Sequence, residues 1–86
     1  MTEAYAAAQN AMALLKTAVH NLLSHGGNEG LTNAQIGRSL GIYAGHVRHE
    51  GHISRTILAI MEAEGVVYQD ATTKIWYIKS HSITEV

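Results

Sequence analysis

Three histidines stand three residues apart near the middle of this 86-residue chain: His46, His49 and His52, with Glu50 among them. Imidazole suits zinc, nickel and copper. On a regular helix, however, His46 and His52 diverge by about 120°. Three ligands would converge only if the chain tightened or bent at Gly51. The run His49-Glu50-Gly51-His52 is one residue short of the HExxH zinc signature, whose two histidines stack one turn apart. Solvent-facing or phosphate-facing histidines fit this spacing better, and no metal or cofactor is expected. Nor does the sequence point to an enzyme. There is no cysteine, which excludes disulfides, thiolate zinc sites and thiol catalysis. Ser39 and Ser54 lack a nucleophile elbow, and no glycine-rich phosphate loop precedes a helix with Lys.

The cations near those histidines suggest a different chemistry. Six Lys and Arg oppose seven Asp and Glu, a formal charge of −1, which is not the balance of a strongly basic binder. The distribution is uneven, though. Residues 36–56 hold Arg38, Arg48 and Arg55 against Glu50 alone, and the three histidines add to this when protonated. Residues 57–86 are richer in acid: Glu62, Glu64, Asp70 and Glu85 against Lys74 and Lys79.

The elements that must position these groups are legible from periodicity and breakers. Tyr5, Ala8, Met12, Leu15, Val19 and Leu22 recur at alternating spacings of three and four, which predicts a long helix over 3–25 ended by Gly26 and Gly27. Ala11, Leu14, Ala18 and Leu23 widen its apolar arc. Thr32 and Gln35 have capping-box spacing, with Leu31 and Ile36 placed as a hydrophobic staple, so a short helix is expected over 32–40, stopped by Gly41. A third helix is expected from about 51 to 64, with Ile53, Ile57, Ile60 and Met61 on one face and Gly65 at its end. Val66 to Tyr68 and Lys74 to Ile78 read as the strands of a hairpin over 66–78 around a polar turn. Trp76 and Tyr77 are expected to pack there, and residues 80–86 to fray. Segment 42–52 is left open between a connector and an irregular helical turn.

With Ile53, Ile57 and Ile60 inward, His52, Arg55, Thr56 and Ala59 fall on one outward stripe. Arg can donate two parallel hydrogen bonds to guanine, Thr can bond a base or offer its methyl to thymine, and a small residue permits close approach.

The stretch from Leu31 to Ile42 (LTNAQIGRSLGI) resembles the second helix and turn of the winged helix-turn-helix family. The stretch from Ser54 to Val67 (SRTILAIMEAEGVV) is similar to its third helix running into the first wing strand. The resemblance covers roughly residues 8–79. It implies an α+β fold, mainly α with a small β-hairpin, as one winged-helix domain over 1–86. Eleven residues, Ile42 to His52, stand where that family has a turn of about three or four. Either the third helix begins earlier, near Gly45, or an inserted loop lies here.

The resemblance further implies binding to double-stranded DNA, as a transcriptional regulator or recognition module. The third helix would then read the major groove through His52, Arg55 and Thr56. Arg38, Arg48 and His49 would hold phosphates, as would the helix start at Thr32 and Asn33. Thr73 and Lys74 at the wing tip would touch the backbone, with Asp70 opposing them. The alternative is a protein-interaction winged helix, an adaptor that binds no DNA, since one fold serves both. The breadth of the first apolar arc predicts a homodimer through helix 3–25. No apolar run approaches the length of a membrane span, no signal peptide is evident, and a cytoplasmic protein is expected.

Overall fold

The glycines, the cap residues and the apolar periodicity resolve into five elements. The computed structural model describes residues 2–26, 29–43 and 51–79. They form helix α1 (Thr2–His25), α2 (Asn33–Ser39), α3 (His52–Ala63) and strands β1 (Val67–Gln69) and β2 (Trp76–Ile78). The fold is mainly helical with one antiparallel hairpin, an α+β arrangement. Each helix lies within a residue of its expected bounds. Strand β1 is shifted by one residue from the expected 66–68, and β2 is shorter than the expected 74–78, because Lys74 adopts a left-handed φ of 66° and belongs to the turn. The alternative of a third helix starting near Gly45 falls on residues outside those described, as does the tail 80–86.

Local signals set the helix ends. Thr32 accepts a hydrogen bond from the Gln35 amide at 3.2 Å, and the Thr32 amide donates to Gln35 Oε1 at 2.8 Å. Both halves of the capping box are therefore made, and two amides at the start of α2 are satisfied. At its other end Gly41 and Ile42 donate back to the carbonyls of Arg38 and Gly37, and Gly65 and Val66 close α3 in the same way through Glu62 and Met61. These paired bonds satisfy carbonyls that a helix end otherwise leaves open.

One apolar cluster joins all the elements. Val19 and Leu23 of α1, Ile36 of α2, Ile57, Leu58 and Met61 of α3, Val67 of β1 and Trp76 of β2 are buried together. Each such side chain stabilises the fold by about 1.5–3 kcal/mol relative to exposure. Helix α3 is central, packing against α1, α2 and β1. Its inner face differs from the expected one: Ser54, Ile57, Leu58 and Met61 are buried, Ile53 is 41% exposed and Ile60 half-buried. The helix is turned so that a hydroxyl, not an isoleucine, meets α2. The close approach of α2 described below leaves room for a serine there.

The hairpin pairs Val67 with Ile78, Tyr68 with Tyr77 and Gln69 with Trp76. A further single-residue bridge was not foreseen. Leu31, between α1 and α2, exchanges both backbone hydrogen bonds with Trp76, at 3.1 and 2.8 Å. The preceding Gly30 makes this approach possible. Its φ is +68°, and a Cβ there would lie 2.6 Å from both Ile75 Cγ2 and the Trp76 carbonyl. Gly41 shares the left-handed conformation, at φ +73°, but its Cβ would meet nothing within 4 Å.

These two glycines separate backbone strain from crowding. Gly41→Ala should cost about 1–2 kcal/mol, the left-handed penalty alone. Gly30→Ala adds an overpacking cost of about 1–3 kcal/mol and should be clearly the worse of the two. Urea unfolding followed by Trp76 fluorescence measures both; equal losses would mean that the bridge does not depend on the bare backbone.

Candidate functional site

Helix α3 begins at Gly51, which takes a left-handed φ of 81° and offers no side-chain cap. What fixes this end instead is a small polar node shared with α2. Ser54 is fully buried. Its single hydroxyl proton goes to Asn33 Oδ1 at 2.8 Å, with the Gly51 carbonyl at 3.2 Å. Asn33 Nδ2 donates to the same Gly51 carbonyl at 3.2 Å. A buried polar group with its partners in place adds stability and fixes geometry, whereas one without them is costly. Among the described residues, no buried side-chain nitrogen or oxygen lacks a partner.

Two glycines let the backbones close around this node. A Cβ on Gly37 would lie 2.9 Å from Ser54 Oγ and from Tyr43 Cδ1; one on Gly51 would lie 2.6 Å from Asn33 Nδ2. Tyr43 thus fills the space between α2 and the start of α3. Its ring also carries a cation, since the Arg38 guanidinium sits 4.5 Å from the centroid. Such stacking restrains a long side chain while leaving its N–H donors at the ring edge.

The structure places the expected residues as follows. On α3, His52, Arg55, Thr56 and Ala59 are all exposed. With the inner face centred on Ser54, Ile57, Leu58 and Met61, the opposite side is centred on His52, Thr56 and Ala59, and Arg55 stands on the flank nearer Glu62. Thr56 donates its hydroxyl proton to the His52 carbonyl at 2.9 Å. Its methyl and its two acceptor lone pairs remain for a partner. Arg38 is exposed on α2. The side chains of Thr32 and Asn33 serve the capping box and the node, and the node lies at the start of α3. Thr73 and Lys74 are exposed in the hairpin turn. Arg48, His49 and His46 lie outside the described residues, and with them most of the three-histidine spacing.

The hairpin turn is organised by Asp70, whose Oδ1 accepts from the amides of Thr72 and Thr73, each at 2.8 Å. Those amides, that of Thr73 foremost, hold its carboxyl below the usual carboxylate range. Asp70 is thus a structural cap for the turn as well as a negative charge within it. The Gln69 side chain donates to the Lys74 carbonyl at 3.1 Å and braces the left-handed residue.

Sequence reasoning missed the Asn33–Ser54 link, the Arg38–Tyr43 stack and the Tyr68–Tyr77 pair, whose rings stack at 5.3 Å on the outer face of the hairpin. The first joins residues 21 apart, the second depends on how the chain turns after α2, and the third on the hairpin register; helical periodicity announces none of them. A shallow cleft of about 220 Å³ lies away from this region, lined by Lys16, Thr17, His20, Met61, Glu64 and Val66. Its polar groups are largely spent on neighbours. Lys16 pairs with Glu64 at 2.7 Å, and the His20 ring lies against Ser24. No group of three or more His, Cys, Asp or Glu placed to hold a metal occurs among the described residues. No described helix is long and apolar enough to cross a membrane.

Comparison with protein-family models, with curated proteins and with solved structures found no match to this chain. The reading of the site therefore rests on its own geometry.

Two measurements check the local account. Asn33→Ala removes two bonds of the node and should cost about 1–2 kcal/mol in urea unfolding; an unchanged midpoint would make the node incidental. Asp70 has a lowered pKa in the folded state, so its stabilisation is present above the ordinary carboxylate pKa and is lost as pH falls through the lowered value. Asp70→Ala should therefore lower Tm at neutral pH, and its melting curve should converge on the parent's in strong acid. A gap that persists in strong acid would assign the loss to something other than the carboxylate.

Proposed function

We propose that this chain is a winged helix-turn-helix module that binds double-stranded DNA, with α3 entering the major groove. The observation that carries the reading is the outward side of α3. His52, Arg55, Thr56 and Ala59 are exposed along it, and no acidic side chain occurs on the helix before Glu62. The opposite side is held against the core and against α2. A recognition helix needs this combination: donors and small residues outward, on an element that does not move. The order of elements supports it too. A helix, a one-residue bridge strand at Leu31, two helices and a hairpin follow one another, with the bridge strand paired to the returning strand.

The roles follow from chemistry. Arg55, reaching in from the flank, donates to a guanine edge, and His52 adds a donor at the helix start. Thr56 presents a methyl suited to thymine, its hydroxyl proton being committed to the backbone. Ala59 lets the helix come close. Arg38, restrained on Tyr43, takes a phosphate, and Thr73 and Lys74 touch the backbone from the hairpin. From the sequence alone, Arg48 and His49 belong to the phosphate-binding set. The task proposed is local transcriptional regulation, or positioning another DNA-acting protein.

Selection from a random duplex library supplies the site, and fluorescence anisotropy across a salt series supplies the test. Binding should weaken steeply as salt rises, by about 0.9 log units per log unit of salt for each phosphate neutralised. Arg55→Ala should weaken binding to the selected site by about 1–3 kcal/mol and relax its base preference. Parental binding by that variant would displace Arg55 from the reading face. No duplex binding even at low salt would end the DNA reading in favour of a protein-interaction adaptor, which the formal charge of −1 favours.

A further inference from the structure

Helix α1 carries more apolar surface than its own domain covers. Met12, Leu15, Val19, Leu22 and Leu23 lie in or against the core, while residues 2–11 are exposed throughout. Tyr5 is 66% and Leu14 69% exposed. At about 100° per residue, Ala4, Tyr5, Ala7, Ala8, Ala11 and Leu14 share one half of the helix circumference. Thr2, Gln9, Asn10 and Thr17 share the other with Ala6 and Ala13. The N-terminal half of α1 is therefore an amphipathic helix whose apolar side faces solvent.

We propose that a second copy of this chain covers that side, with the two α1 helices antiparallel. Charge is the first argument. Between Thr2 and Leu15 the one ionisable side chain other than Tyr5 is Glu3, so the face offers nothing to a charged partner and does not repel its own copy. Self-complementarity is the second, since a two-fold contact requires each residue's partner to be met reciprocally. An axis crossing the helix near residues 8–11 sets Leu14 of one copy over Ala4 and Ala7 of the other. Tyr5 then meets Met12 of the other copy, a favourable aromatic–sulfur contact, and Ala8 and Ala11 let the backbones approach at the centre. Each domain packs on one side of α1 through Met12, Leu15, Val19, Leu22 and Leu23, so the antiparallel arrangement sets the two domains toward opposite ends of the helix pair.

Area is the third argument. This half-cylinder offers roughly 500 Å² per copy, about 1,000 Å² in all, which reaches the lower bound for a specific interface and no further. The dimer should accordingly be weak and dependent on concentration. The inference goes beyond DNA binding and is tested without nucleic acid.

Sedimentation equilibrium from low micromolar to several hundred micromolar reads it directly. The parent should pass from monomer to dimer over that range. Leu14→Glu should stay monomeric with an unchanged far-UV spectrum, its side chain being exposed in the monomer. Asn10→Glu, on the polar side of the same turns, should dimerise like the parent. A monomeric parent at the highest concentration overturns the proposal and leaves the face to an unlike partner. A Leu14→Glu variant that dimerises as the parent does also overturns it, by placing the contact elsewhere.

Discussion

The angle between α2 and α3 is set by one buried hydroxyl. Ser54 lies on the inner face of α3 where helical periodicity expected an isoleucine, and it joins Asn33 and the Gly51 carbonyl in a satisfied cluster. Hydrogen bonds are directional where apolar contacts are not. The cluster therefore fixes which side of α3 faces inward and, by subtraction, which faces out. The bare backbones of Gly37 and Gly51 are what bring the two helices close enough for it to form. The exposure of His52, Thr56 and Ala59 and the flank position of Arg55 follow from that packing.

A second constraint of the same kind holds the hairpin. Three-residue strands are too short to be stable alone. Here the returning strand is gripped on its other edge by Leu31, through a pair of backbone bonds that Gly30 makes sterically possible. Trp76 is buried at the junction, and the Tyr68–Tyr77 pair closes the outer face. The turn then needs only its own local hydrogen bonds, centred on Asp70, to project Thr73 and Lys74 outward. Rigid anchoring at one end and a locally organised tip at the other suit an element that touches a partner's backbone without reading it.

Both ideas of partnership for this chain come from surfaces the core leaves uncovered. The charge sum of −1 gives no general attraction to nucleic acid, so the proposed binding depends on where the cations stand: Arg38 on α2 and Arg55 on α3. The exposed half of α1 is the opposite case, an apolar surface with almost no charge. A small domain buries a limited fraction of its chain, and further burial against a copy adds stability that grows with the logarithm of concentration.

Much of this was legible in local pattern. The helices, their caps and the position of the hairpin depend on periodicity, on Thr32 and Gln35 at capping-box spacing, and on glycine after Leu40 and Glu64. These are interactions within a few residues, so the order of the amino acids alone determined them. The outward placement of His52, Arg55, Thr56 and Ala59 was also legible, because the 3.6-residue repeat carries it. Tertiary structure decided the rest. It turned α3 so that Ser54 replaced Ile53 inside and joined that serine to Asn33 on α2. It paired Leu31 with Trp76 and left the first half of α1 uncovered. Each of these depends on segments that are distant along the chain meeting at a particular angle, and periodicity within one element holds no record of that angle.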